Sequence, residues 1–292
     1  MYKRRNSMKN AKLVNKSHPT QQTAISIGDR TTIGGQDLLI IGGPCAVESL
    51  EQMETVARHL AHAPVQMLRG GVFKPRTSPY SFQGMGDAGL TILSGVRQRY
   101  GIPVVTEVMS MNQIESIVAH TDLLQVGSRN MQNFDLLKAL GEAGKPVLLK
   151  RGLAATLEEF VFAAEYILSH GNPDVILCER GIRSFDSFTR NILDLGAVVA
   201  LKQITHLPVM VDPSHAAGKR ELVAGLARAA VAAGADGLII ECHPEPEQSV
   251  SDARQALSLP EMVELVQSLG PVAAAVGRRV RGVEPVRELS AA

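Results

Sequence analysis

Eight short apolar runs, each followed by a stretch with helical spacing, constrain this chain more than any other feature. They lie at 38–42, 65–69, 103–106, 123–126, 147–149, 175–178, 208–211 and 237–240. The runs are rich in Val, Ile and Leu, as suits parallel strands buried on both faces. A helical pattern follows Ser49, and others lie near 86–100, 111–119, 132–140, 157–169, 189–203, 219–233 and 260–276. Capping-box patterns at Ser49/Gln52 and Thr156/Glu159 mark two helix starts. The expected fold class is α/β, a single (β/α)8 TIM barrel with a short N-terminal hairpin extension. The hairpin spans 23–34, turning at Gly28-Asp29, and the barrel spans 35–280 without a linker or internal repeat. Residues 1–22 and 281–292 are expected as tails, the first disordered.

In such a barrel, chemistry gathers at the C-terminal ends of the strands. Those ends carry Cys45, Arg69, Glu107, Arg129, Lys150, Arg180, His215 and Glu241. A loop after the second strand adds Lys74, Arg76 and Thr77; Gly70 and Gly71 should give it conformations closed to other residues, and Pro75 and Pro79 stiffen it. Six cations in one mouth repel one another unless anions bind, which implies a phosphate or a phosphate with a carboxylate. A solvated basic loop or structural ion pairs would explain any one of them, but not the whole set. Cys45, His215, Glu241 and Asp252 form a second set, suited to a transition metal. No local spacing motif links these four, and only the barrel topology brings them together. Cys242 should point away from the mouth by alternation, and Cys178 reads as packing.

The 292 residues carry a formal net charge of +1, which gives no general attraction to nucleic acid or membrane. No apolar run is long enough to span a bilayer. Residues 1–28 are basic and without acids, but lack the apolar segment of a secretory signal. That composition also occurs in organelle-targeting segments. Three scattered cysteines do not form a disulfide framework, so a reducing, cytoplasmic setting is expected.

Several long motifs carry a resemblance. They are Gly43-Pro-Cys-Ala-Val-Glu-Ser49, Arg69-Gly-Gly-Val-Phe-Lys-Pro-Arg-Thr-Ser-Pro-Tyr-Ser-Phe-Gln-Gly84, Gln125-Val-Gly-Ser-Arg-Asn130, Leu148-Leu-Lys-Arg-Gly152, Cys178-Glu-Arg-Gly-Ile-Arg183, Val211-Asp-Pro-Ser-His215, Glu241-Cys-His-Pro-Glu-Pro-Glu247 and Ser251-Asp252. Across residues 23–280 the chain resembles the 3-deoxy-D-arabino-heptulosonate-7-phosphate (DAHP) synthases, in the short branch related to 3-deoxy-octulosonate-8-phosphate synthase. The resemblance implies a metal-dependent transferase of the shikimate pathway to aromatic amino acids. It condenses phosphoenolpyruvate with erythrose 4-phosphate and releases phosphate. It implies one divalent ion (Mn, Fe, Co or Zn) on Cys45, His215, Glu241 and Asp252. Arg129 and Arg180 would hold the phosphate of phosphoenolpyruvate, Lys150 its phosphate and carboxylate, and Arg69 its carboxylate. Arg76 and Thr77 would hold the sugar phosphate. Lys74 would stand between the substrates as the catalytic acid, and Glu107 would position the water. A homo-oligomer, a tetramer, is also implied. The alternatives are the octulosonate synthase acting on arabinose 5-phosphate, whose branch resembles Lys-Ala-Asn-Arg where this chain has Lys74-Pro75-Arg76-Thr77, and a non-catalytic phosphometabolite-binding barrel.

Overall fold

The computed structural model describes residues 7–29, 31–76 and 78–282. A hairpin of β1 (Ile25–Ile27) and β2 (Thr31–Ile33) precedes the main sheet. The sheet alternates with helices in the order β3 (Leu39–Gly43), α1 (Leu50–Leu60), β4 (Met67–Arg69), α2 (Asp87–Tyr100), β5 (Val104–Val108), α3 (Ile114–His120), β6 (Leu123–Val126) and α4 (Phe134–Gly141). It continues with β7 (Val147–Lys150), α5 (Leu157–Ser169), β8 (Val175–Glu179), α6 (Leu195–Ile204), β9 (Val209–Val211), α7 (Pro213–Ala217), α8 (Arg220–Ala232) and β10 (Gly237–His243). The two-residue β11 (Leu257–Ser258), α9 (Leu259–Ser268) and α10 (Gly270–Ala275) complete the described chain. Strands β3 to β10 pair in parallel in sequence order, and β10 pairs with both β9 and β3, so the barrel closes.

Strand alternation sorts the side chains. Ile40, Leu68, Val104, Leu124, Leu149, Leu177 and Ile240 belong to the core between sheet and helices. Leu39, Ile41, Met67, Val105, Leu123, Leu148, Ile176, Met210 and Ile239 fill the barrel. Ile25, Ile27 and Ile33 of the hairpin join that inner cluster and so close the N-terminal end. Continuing the inward parity toward the C-terminal ends gives Arg69, Glu107, Gln125, Lys150, Arg180, Asp212 and Glu241. The apolar half of each strand thus fixes where its polar end projects. Cys242 falls in the outer cluster and Cys178 in the inner one, as alternation requires.

Four local expectations are corrected. Residues 7–22 do not form a free tail: Ala11 and Val14 are buried, the amides of Leu13 and Val14 donate to Glu165 on α5, and Thr205 Oγ1 donates to Val14 O. Two apolar residues three positions apart anchor this segment, which the basic composition masks. Residues 1–6 and 283–292 lie outside the described residues. The helix expected from 189 begins at Leu195, because Asp194 caps it by accepting from Ala197 N, while Ile182 and Ile192 pair across the preceding loop. Ser49 caps α1, but the Gln52 side chain accepts from Glu48 N, so the box at that end is half formed; the box at Thr156 and Glu159 is complete. The helix expected over 260–276 is two, broken at Leu269 just ahead of Pro271, which has no N–H to continue the ladder.

Candidate active site

The C-terminal end of the barrel opens into a cavity of about 520 Å³. Its wall includes Cys45, Arg69, Lys74, Arg76, Glu107, Arg129, Lys150, Arg180, His215 and Asp252. The residues expected from strand ends therefore meet at this wall, except Glu241, which is fully buried and joins them only through the set with Cys45, His215 and Asp252. Thr77 lies outside the described residues.

Cys45 follows β3 on a loop that runs beside the loop after β4. Val47 N donates to Gly71 O and Gly71 N to Cys45 O, so the barrel pairing continues past the strand ends. Neither Gly70 nor Gly71 has a positive φ, contrary to the expectation of special backbone conformations. Their need for glycine is steric: a Cβ on Gly71 would come within 2.6 Å of Cys45 O and 3.0 Å of the Lys74 side chain. The gap lets Lys74 bury its stem and bring Nζ to 2.8 Å from both Cys45 O and Cys45 Sγ.

Cys45, His215, Glu241 and Asp252 offer ligand atoms that all lie within 4.8 Å of one another. Cys45 Sγ is 3.1 Å from Asp252 Oδ2 and 3.9 Å from His215 Nε2. His215 Nε2 is 3.6 Å from Glu241 Oε2 and 3.8 Å from Asp252 Oδ2. His215 sits on the short helix α7, where Asp212 caps the helix by accepting from His215 N. Glu241 lies within β10, which runs on to His243, longer than the four residues expected. Asp252, on the segment between β10 and β11, holds φ at 59°, a left-handed value that Asp tolerates better than most residues.

The set fits a divalent cation. Glu241 Oε1 is buried without a partner, which is costly unless a cation meets it. Burial lowers His215 to about 3, against the pull of Asp212, so the imidazole is neutral, as a ligand must be. Burial raises Glu241 to about 7, with Arg69 opposing. Burial and then Glu241 push the Cys45 thiol up to about 11, so a bound cation would have to displace its proton. Asp252, against the effect of burial, is held below the usual carboxylate range by His215 and Arg190.

The cations divide into tied and open groups. Lys150 Nζ is 2.6 Å from Asp212 Oδ2. Arg180 Nη2 donates to His215 O at 3.2 Å. Arg129 Nη1 donates to Pro75 O, and Arg76 Nε to Phe82 O, so these two hold the loop in shape. Arg69 is buried, yet its Nη1 has no partner. Two unpartnered groups of opposite sign at one mouth suit an anion and a cation bound side by side.

A profile of the DAHP synthetase I family matches residues 17–275. The chain belongs to this family. It is 48% identical to a phospho-2-dehydro-3-deoxyheptonate aldolase of Thermotoga maritima, over 94% of this chain and 80% of that one. The crystal structure of a Thermotoga maritima DAHP synthase superposes with a TM-score of 0.87 at 46% identity, covering 91% of this chain and 78% of that one. A truncated form of the 3-deoxy-D-arabino-heptulosonate 7-phosphate synthase from Thermotoga maritima gives 0.85 at 43% identity, covering 94% and 99%. A 2-dehydro-3-deoxyphosphooctonate aldolase of Syntrophotalea carbinolica is 31% identical over 86% of this chain and 96% of that one.

Within this DAHP synthetase barrel, Glu107 is half-buried and accepts from Gln125 Nε2 at 3.2 Å. A Cβ at position 127 would come within 2.0 Å of Glu107 Oε1, so any larger residue there would push the carboxylate out of this position. Sequence reasoning passed over Arg183 and Arg190, both in the cavity wall. Arg190 donates to Asp252 Oδ1 at 2.9 Å and to Gln255 Oε1 at 3.1 Å, and Gln255 Nε2 in turn donates to Glu241 Oε2 at 2.7 Å. Placing the helix start at 189 hid Arg190. The Asp194 cap was the available signal.

Proposed function

We propose that this chain condenses phosphoenolpyruvate with erythrose 4-phosphate and water to give DAHP and phosphate. The observation that carries the reading is the barrel mouth, where a four-residue ligand set sits beside the buried Arg69, whose Nη1 has no partner. Cys45, His215, Glu241 and Asp252 would hold one divalent ion, of Mn, Fe, Co or Zn. Bound there, it would polarise the aldehyde oxygen as a Lewis acid.

Arg180, Arg129 and Lys150 take the phosphate of phosphoenolpyruvate, Lys150 also reaches its carboxylate, and Arg69 takes that carboxylate with the buried Nη1. Arg76 and Thr77 hold the phosphate of the sugar. These clamps place C3 of phosphoenolpyruvate against the aldehyde carbon, and orientation of two bound reactants lowers a barrier by several kcal/mol. As the carbon–carbon bond forms, Lys74 protonates the developing alkoxide. Water, positioned by Glu107, adds to C2, and the phosphohemiketal then expels inorganic phosphate. The enzyme is further read as cytoplasmic and as a homotetramer, which sedimentation of the purified protein checks. Among the described residues no helix is long and apolar enough to cross a membrane.

Octulosonate synthesis is the second reading, since relatives so named are 31–33% identical. The Lys74-Pro75-Arg76-Thr77 run favours the four-carbon sugar. The test is phosphate release from phosphoenolpyruvate with manganese and each aldose phosphate. Release with erythrose 4-phosphate supports the proposal. Release only with arabinose 5-phosphate supports the second reading, and no release with either overturns both.

A further inference from the structure

Asp212 is completely buried at the end of β9 and belongs to neither the ligand set nor the anion clamp. Its Oδ1 accepts from His215 N at 2.9 Å, which fixes α7. Its Oδ2 serves two partners at once. Lys150 Nζ lies 2.6 Å away, and His215 Nδ1 lies 2.8 Å away, off the line of an ideal hydrogen bond. One oxygen thus touches the ammonium assigned to phosphoenolpyruvate and the imidazole assigned to the divalent ion.

We infer that Asp212 is a positioning residue that couples the two halves of the site. The inference rests on the reading that the site takes phosphoenolpyruvate and a divalent ion. A carboxylate on Nδ1–H holds the proton there and leaves Nε2 bare, facing Cys45, Glu241 and Asp252. While Lys150 shares the same oxygen, that oxygen is the weaker acceptor for the imidazole. An anion that draws Lys150 toward itself returns Oδ2 to His215, and Nε2 becomes the stronger donor to the metal. Phosphoenolpyruvate should therefore tighten metal binding, and the metal should tighten phosphoenolpyruvate binding by the same factor.

The experiment is a binding square on the full chain and on Asp212→Asn, an isosteric change that keeps an acceptor for His215 N. Manganese affinity is read by electron paramagnetic resonance and phosphoenolpyruvate affinity by calorimetry, each with and without the other. Manganese binding to the variant should weaken by about 10–100-fold. The factor by which phosphoenolpyruvate tightens manganese should also fall by roughly threefold or more, since part of the linkage runs through Asp212. A folded variant with both affinities within about twofold of the parent and an unchanged factor would overturn the inference. Nitrogen-15 spectra of the metal-free parent give a test that needs no variant. His215 should show the Nδ1–H tautomer, and its Nδ1 proton should shift on adding phosphoenolpyruvate. An Nε2–H tautomer overturns the inference. A parent that binds neither manganese nor phosphoenolpyruvate sinks the functional reading and this inference with it, whereas a parent that binds both without the linkage sinks the inference alone.

Discussion

The two ends of the barrel hold buried charge in opposite ways. At the N-terminal end, Asp236 is fully buried with both oxygens engaged: Oδ1 by Arg278, Oδ2 by Lys202 at 2.6 Å and by Val209 N at 2.7 Å. Asp122 does the same with Arg97 and Val104 N. The hairpin then seals that end with Ile25, Ile27 and Ile33. At the mouth, Glu241 Oε1 and Arg69 Nη1 are buried and unmatched. A buried charge whose partners are all in place is costly to break, while an unsatisfied one costs stability as it stands and persists where something else is meant to bind. One end reads as stability and the other as function, as the barrel architecture leads one to expect.

If the two ends differ in this way, mouth and base should respond differently to mutation. The largest effect should come from the ligand set. Thorough chelation, or Cys45→Ala, should lower kcat/KM by roughly 10³-fold or more, because several kcal/mol of charge stabilisation go with the ion. The melting temperature of the metal-free protein should move by only a few degrees. Full activity after chelation would undo the metal assignment.

Next comes the base. Asp236→Ala strands Lys202 and Arg278 and should cost about 3–5 kcal/mol in urea unfolding, with kcat per folded molecule unchanged. Ile33→Ala leaves a hole in the inner cluster and should cost about 2–5 kcal/mol, again without a change in kcat. A base variant that loses turnover while folded would erase the division between the two ends.

A smaller effect is expected from Arg76→Ala. A lost charge-assisted bond of about 1.5–3 kcal/mol should raise KM for the aldose by roughly 10–100-fold. Turnover and the KM for phosphoenolpyruvate should change much less. The reverse pattern would mean that the two phosphate positions are exchanged. The smallest effect is a null one. Phenylalanine, tyrosine or tryptophan titrated against this chain alone should change its rate by less than about twofold, because the described residues before β3 are taken up by the hairpin and by packing against α5 and Thr205 rather than by a core of their own. Strong inhibition would reveal a binding site outside the mouth.

Much of this organisation is written locally. Apolar runs with β-branched residues place the eight strands, and period-two alternation decides which residue at each strand end faces inward. That is why Arg69, Glu107, Lys150 and Glu241 are legible as mouth residues from the sequence alone. Thr156 with Glu159 marked a helix start for the same reason: the interaction spans three residues. Gln52 misled because an adjacent amide, Glu48 N, competes for the same side chain.

What the sequence could not supply depends on contacts between distant segments. Cys45 and Asp252 are 207 positions apart and 3.1 Å apart in space. The sharing of Asp212 between Lys150 and His215, the bond from Arg190 to Asp252, and the seating of Val14 against α5 and Thr205 all join separate βα units. Composition and periodicity report what a segment does with its neighbours in the chain. They fixed eight strands, their inward faces and the kinds of side chain at the mouth. Which of those side chains pair, and which are left for a ligand, depends on angstrom-scale distances set only when the barrel closes.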